Sequence, residues 1–245
     1  IVITNSCTEA LGLCLRAVTQ PGDTVAVESP AYYLMLQLLE TLGLKALEIP
    51  TDPRTGVSVE ALDLATRDGR VAACLLVPNA SNPLGSVMPD EKKRLLATLT
   101  AARGVAVIED DIYGDLHFGS QRPWPIKAFD TAGNVLLCSS FSKSLSPSLR
   151  IGFVAAGRYR PALALQKTIT SGGTNPLTQH VLAEYLESGA YERHLRGLRR
   201  NYEDQVERMR QALIRHFPAE TRMTQPQGGY VLWVELPEDV DTTAL

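Results

Sequence analysis

Short runs of consecutive apolar residues recur through the first two-thirds of the chain, separated by longer stretches in which apolar positions return every three or four residues. The runs Thr24–Glu28, Ala46–Ile49, Val71–Val77, Val105–Ile108, Val135–Cys138 and Ile151–Ala156 predict strands, and the opening Ile1-Val2-Ile3 has the same character. Apolar residues fill successive positions rather than alternate ones, which is the pattern of strands covered on both faces. Helical spacing falls between them at Thr8–Thr19, Tyr32–Leu42, Val59–Arg67 and Asp90–Arg103. The last of these opens on acidic residues, ends on Arg103 and is followed by Gly104, the right order of start and stop signals. Strands alternating with helices of this length predict an α/β fold, with a mostly parallel central sheet and helices on both faces.

After Gly157 the pattern changes to helices at Arg160–Ser171, Pro176–Leu186 and Tyr191–His216, then Pro226-Gln227-Gly228-Gly229 and a strand over Tyr230–Leu236. This predicts residues 1–188 as a large domain with connecting helices, and residues 189–245 as the start of a smaller α+β C-terminal domain.

Composition narrows the function. A net charge of −3 gives no bulk positive surface for a nucleic acid. No apolar run approaches the ~20 residues of a membrane-spanning helix. Cys7, Cys14, Cys74 and Cys138 sit in apolar contexts without C-x-x-C spacing, as buried thiols rather than a zinc site or a disulfide framework. With no signal peptide at the start, a cytoplasmic location is the expectation. The chain opens at Ile1 without Met and stops at Leu245, which suggests a piece of a longer protein.

In open α/β sheets ligands bind outside the carboxyl ends of the strands. Three such ends carry chemistry: Pro78–Gly85 with Asn82, Glu109–Tyr113 with Asp110 and Tyr113, and Ser139–Lys143 followed by Arg150. Ser6-Cys7-Thr8 precedes the first helix, where free backbone N–H groups and the helix dipole attract an anion. Ser140, Ser142 and Arg150 add donors that suit a phosphate. A lysine amine, a carboxylate able to hold a proton on a ring nitrogen and a phosphate cradle together match a phosphorylated aromatic aldehyde condensed on Lys143.

Asn82-Pro83-Leu84-Gly85, Asp110-Asp111-Ile112-Tyr113, Ser140-Phe141-Ser142-Lys143 with Arg150-Ile151-Gly152, and Gly228-Gly229-Tyr230-Val231-Leu232-Trp233 resemble the motifs of fold-type I, class I/II aminotransferases, which use pyridoxal 5′-phosphate. Ser6–Leu11, Glu109–Asp111 and Pro89–Lys93 resemble more closely the aminotransferase-like domain of MocR-type GntR-family regulators. The resemblance implies the pyridoxal-phosphate-dependent transferase fold. It implies catalytic roles for Lys143, which condenses with the cofactor and then shuttles the α-proton, for Asp110 on the pyridine nitrogen, and for Tyr113. It places Asn82 and Tyr113 on the ring oxygen, Tyr32 on the ring face, and Cys7, Thr8, Ser140, Ser142 and Arg150 on the phosphate. It further implies an amino acid or 2-oxo acid as ligand, a homodimer, and either transaminase activity or effector sensing beside a winged-helix domain upstream. The family's substrate-carboxylate arginine would lie beyond Leu245. Ser6 stands where the family usually has Gly, so strain is expected there if its φ is positive.

Plainer readings stand beside these. Asp111 rather than Asp110 could face the site, since strand neighbours point oppositely, and Tyr32 could be a plain core aromatic with Tyr33 turned to solvent, or the reverse. The acidic run after an apolar strand could belong to a nucleotide hydrolase, but no G-x-x-x-x-G-K-[ST] loop occurs. His117, His180, His194 and His216 lack metal-ligand spacing, so no metal is expected. Arg193, Arg196, Arg199 and Arg200 interleave with Glu192, Glu203 and Glu207, as on a solvated helix face.

Overall fold

The computed structural model describes residues 1–242; the last three residues of the predicted C-terminal domain lie outside them. Its strands are β1 (Val2–Thr4), β2 (Thr24–Ser29), β3 (Lys45–Asp52), β4 (Gly56–Val57), β5 (Val71–Leu76), β6 (Ala106–Asp110), β7 (Val135–Ser140), β8 (Gly152–Ala155), β9 (Arg222–Met223) and β10 (Val234–Glu235). The α-helices are α1 (Cys7–Val18), α2 (Tyr33–Thr41), α3 (Val59–Ala65), α4 (Asp90–Arg103), α5 (Arg160–Thr170), α6 (Pro176–Glu187) and α7 (Ala190–His216).

Eight strands form one sheet in the order β1-β8-β7-β6-β5-β2-β3-β4, and β9 pairs with β10 apart from it. The middle of the sheet, β3-β2-β5-β6-β7, is parallel throughout. Burial on both faces explains the runs in β2, β5, β6 and β7, whereas β3, read from the same kind of run, is exposed over Lys45–Glu48 and buries only Ile49 there. In β5, Ala73 and Leu75 enter the core shared with α1, α2 and α5, while Cys74 and Leu76 enter the one shared with α3 and α4. The chain enters each of the five parallel strands through a glycine at positive φ two residues upstream: Gly22, Gly43, Gly69, Gly104 and Gly133.

Strand direction decides which loops meet. The parallel strands all end at one rim of the sheet. At the sheet's edge β8 runs antiparallel to β7, so Arg150, which precedes β8, lies at the rim where β7 ends. The next strand, β1, is antiparallel to β8 and so delivers Ser6 and the start of α1 to that rim too.

The predicted strand over Tyr230–Leu236 is reduced to β10. Residues ahead of it are held by other partners: Gly229 N–H donates to Leu116 O at 2.9 Å and Trp233 N–H to Thr224 Oγ1 at 3.1 Å. Among the described residues no helix is long and apolar enough to cross a membrane.

Candidate functional site

The segments that follow β1, β2, β5, β6 and β7 and the one that precedes β8 meet at one cavity of about 210 Å³. All ten residues singled out from the sequence line it: Cys7, Thr8, Tyr32, Asn82, Asp110, Tyr113, Ser140, Ser142, Lys143 and Arg150. Leu11, Met35, Leu38, Val77 and Ile112 supply its apolar wall.

The anion-attracting end is built by α1. Ser6 caps the helix, its Oγ accepting from Glu9 N–H at 3.2 Å and its carbonyl from Ala10 N–H at 3.1 Å. Helix geometry gives the N–H groups of Cys7 and Thr8 no intrahelical acceptor, and both residues line the cavity. The φ of Ser6 is 169°, ordinary extended backbone, so the strain expected from a non-glycine residue there is absent. Strain falls instead on Arg150, held left-handed at φ 51°, a conformation costing roughly 1–2 kcal/mol outside glycine. The turn before β8 holds this guanidinium at the cavity against that cost.

Beside the start of α1 lies Asp110, the last residue of β6 and 6% exposed. Its Oδ1 accepts from the Cys7 thiol at 3.4 Å and from Ile112 N–H at 3.1 Å, both neutral donors. Burial pushes its carboxyl up to about 6, against the pull of those hydrogen bonds and of the Lys143 charge. Burial, reinforced by Asp110, likewise pushes the Cys7 thiol up, which keeps its proton on sulfur.

What each side chain meets resolves the two open choices. Asp111 turns away from the cavity, accepting from Asn79 Nδ2 at 2.8 Å and pairing with Arg122 at 2.5 Å. Tyr32 lines the cavity, whereas Tyr33 is 61% exposed and meets Tyr32 edge-on at 4.9 Å. Glu109 faces the other way in β6 and accepts from Ile126 N–H at 2.6 Å and Lys127 N–H at 2.9 Å. Burial raises its carboxyl to about 8 even so.

Sequence reasoning missed an aromatic roof. Tyr230 lies 5.6 Å from Tyr113 and 5.1 Å from Tyr202 between ring centroids, and the Lys143 ammonium stands 5.9 Å from its ring. Phe118 N–H donating to Gln227 O at 2.9 Å, with the Gly229 bond to Leu116, brings it there. Gly228-Gly229 signalled a turn, but nothing in the local pattern says what the next residue covers. Also missed were Glu28, buried with its carboxyl raised to about 8 chiefly by desolvation, and Lys93, wholly buried in α4. Lys93 lies in the acidic first turn of a helix that reads as solvated, and donates to Asn79 Oδ1 at 2.7 Å and Trp124 O at 2.6 Å.

Comparisons with known proteins identify relatives of the whole chain. The family described as aminotransferase class I and II matches residues 1–245. Two Escherichia coli K12 proteins named as uncharacterized HTH-type transcriptional regulators are similar: YjiR, 46% identical over 98% of this chain, and YdcR, 45% identical over 100%. The chain spans about half the length of these curated relatives, 51% and 52%. A crystal structure of Pyrococcus horikoshii kynurenine aminotransferase in complex with PMP superposes with a TM-score of 0.91 at 32% identity. That match covers 99% of this chain and 61% of the other.

Proposed function

The chain belongs to the class I and II aminotransferase family and has the fold of its pyridoxal-phosphate-dependent members, and from that premise we propose that it is the pyridoxal 5′-phosphate-binding, amino-compound-sensing unit of a MocR/GntR-type transcription regulator. The observation carrying the cofactor is the meeting of Lys143, Asp110 and Arg150 on one cavity. The regulator reading is supported by the 46% and 45% identity to two regulators, against 32% to the kynurenine aminotransferase. DNA would be bound by a part of the regulator outside this chain.

The donor set fits the cofactor. A buried carboxyl with only neutral partners gains a cation from a protonated pyridine. A helix N-terminus, two hydroxyls and a guanidinium match a phosphate dianion. When bound, pyridoxal 5′-phosphate supplies an electron sink for the pair left behind when an α-proton departs.

The remaining work belongs to the chain. Lys143 Nζ would hold the aldehyde carbon and later carry the α-proton, while Asp110 Oδ atoms keep a proton on the ring nitrogen. Asn82 and Tyr113 would donate to the ring oxygen and Tyr32 would cover the ring face. Cys7 and Thr8 N–H groups, Ser140, Ser142 and Arg150 would hold the phosphate. The ligand is an amino acid or a 2-oxo acid. In this reading residues 1–188 hold the cofactor and residues 189–245 begin a smaller C-terminal domain. A homodimer is part of it too, supported by the exposed Ile169, Leu177 and Val181 on α5 and α6.

The complete set of site residues also supports a second reading, a transaminase exchanging amino groups by a ping-pong course. The test uses the full-length protein with pyridoxal 5′-phosphate. A visible absorbance band is expected, lost in Lys143→Ala and fixed by borohydride as a mass increase on the Lys143 peptide; its absence from the wild type overturns the cofactor assignment. Adding amino acids then separates the readings. A spectral change that alters DNA binding without turnover supports the sensor, whereas sustained amino transfer to a 2-oxo acid establishes the enzyme.

A further inference from the structure

The turn that carries Lys143 is gripped from outside the cavity by one helix. Ser144, the next residue, is buried, and its Oγ lies 2.7 Å from the Tyr191 hydroxyl of α7. One turn along that helix, His194 Nε2 is 3.0 Å from the Ser144 carbonyl. On the other side of Lys143, the Phe141 ring meets the Tyr191 ring edge-on at 5.7 Å. A single tyrosine therefore touches the chain two residues before the lysine and one residue after it. Tyr191 is not among the residues that line the cavity.

The same hydroxyl is anchored in turn. It lies 3.2 Å from Asp115 Oδ2, whose other oxygen accepts from Arg122 Nε at 2.6 Å. Arg122 also pairs with Asp111 at 2.5 Å, and Asp111 is held by Asn79, which Lys93 holds. Arg199 of α7 closes the path by donating from Nε to the Asp115 carbonyl at 2.7 Å. Charges alternate along it, from the buried Lys93 and, through Asn79, the buried Asp111 to the more exposed Arg122 and Asp115. The phenol has one proton for two oxygens. An ionised Asp115 can only accept, so Ser144 must supply the second proton, and neither hydroxyl is free to turn elsewhere. Burial pushes the Tyr191 phenol up, which keeps that proton in place.

We propose that Tyr191 is a positioning residue for Lys143: through Ser144 and Phe141 it fixes the turn bearing the amine, tying α7 to the capture of the cofactor. The inference rests on the reading of Lys143 as the cofactor-holding amine, and it adds a residue outside the cavity to that site. The physical reason is reach. A lysine amine on four rotatable bonds attacks at a useful rate only when its backbone holds still, and misplacement by about 1 Å costs up to 10²-fold. Tyr202 of α7 also meets the Tyr230 ring at 5.1 Å, so this one helix touches both the lysine's turn and the ring beside the amine.

Tyr191→Phe keeps the ring against Phe141 and deletes both hydrogen bonds; Ser144→Ala deletes one of them from the other side. In full-length protein without cofactor, hydrogen exchange of amides 142–146 is expected to rise about tenfold in both variants. After addition of pyridoxal 5′-phosphate, the visible band should grow roughly tenfold more slowly, while the unfolding midpoint stays within a few degrees. A merely structural tyrosine predicts that Phe, which preserves the packing, behaves as the wild type in both measurements; that result overturns the proposal. If the wild type itself gives no band, the cofactor assignment falls, and the exchange measurement alone decides whether Tyr191 fixes the turn.

Discussion

Asp110 is a carboxyl placed where its protein surroundings do not favour its charge. Burial raises it to about 6, and the donors that oppose the rise, the Cys7 thiol and Ile112 N–H, are neutral. Between the ordinary carboxylate range and that value the folded state binds more protons than the unfolded one, so stability falls as pH rises through this window. Replacing Asp110 by Asn removes the cost. We expect cofactor-free Asp110→Asn to be more stable than the wild type above pH 6, by at most about 3 kcal/mol, and to lose Asp110's share of the decline in unfolding midpoint between pH 4 and pH 6, while the buried Glu28 and Glu109 keep theirs. The same variant should retain pyridoxal 5′-phosphate poorly in dialysis; a variant as unstable as the wild type at pH 7 would contradict the account. Residue identity at this position was legible: Asp110 stands three residues before Tyr113, and its neighbour Asp111 pairs with Arg122. The Cys7 contact was not legible, because it joins positions 103 residues apart, and hydrophobic periodicity carries no such pairing.

At the scale of elements, the site depends on a seam where β7, β8 and the start of α1 meet. Gly152 lies in it. A methyl group there would stand 2.7 Å from the Ser6 carbonyl carbon and 2.8 Å from Ser139 O, both backbone atoms that cannot swing aside. Gly152→Ala should therefore destabilise by about 1–3 kcal/mol and push the capped end of α1 from the cavity, read as weaker phosphate-dependent retention of the cofactor. Retention equal to the wild type would show that the seam does not set the cradle. The elements themselves were largely legible, since α4 runs over the span its caps predicted and the buried strands were found from their apolar runs. Short pairings such as β4 with β3 and β9 with β10 were not, because two-residue strands are fixed by neighbours rather than by their own pattern.

For the molecule as a whole, function needs two distant stretches of chain at one rim. Residues 226–230 are stitched to the loop after β6 by the Phe118–Gln227 and Gly229–Leu116 hydrogen bonds, and Pro226 packs over Gly85. A side chain at Gly228 would meet Leu116 O at 2.9 Å and His117 Cα at 3.0 Å. Gly228→Val should loosen this seam and withdraw Tyr230 from Lys143, giving a cofactor band that bleaches faster under a competing amine such as hydroxylamine. An unchanged bleaching rate would mean that the roof does not shield the amine. Every group assigned to the cofactor lies at the rim where β5, β6 and β7 end. The opposite rim carries the glycine turns that lead into those strands, and beside Gly22, Gly69 and Gly104 an added methyl would find open space. That division makes the molecule a vise with a replaceable handle: a fluorophore, epitope or spliced loop set at the turn near Gly69 is insulated from the jaws by the full length of the sheet.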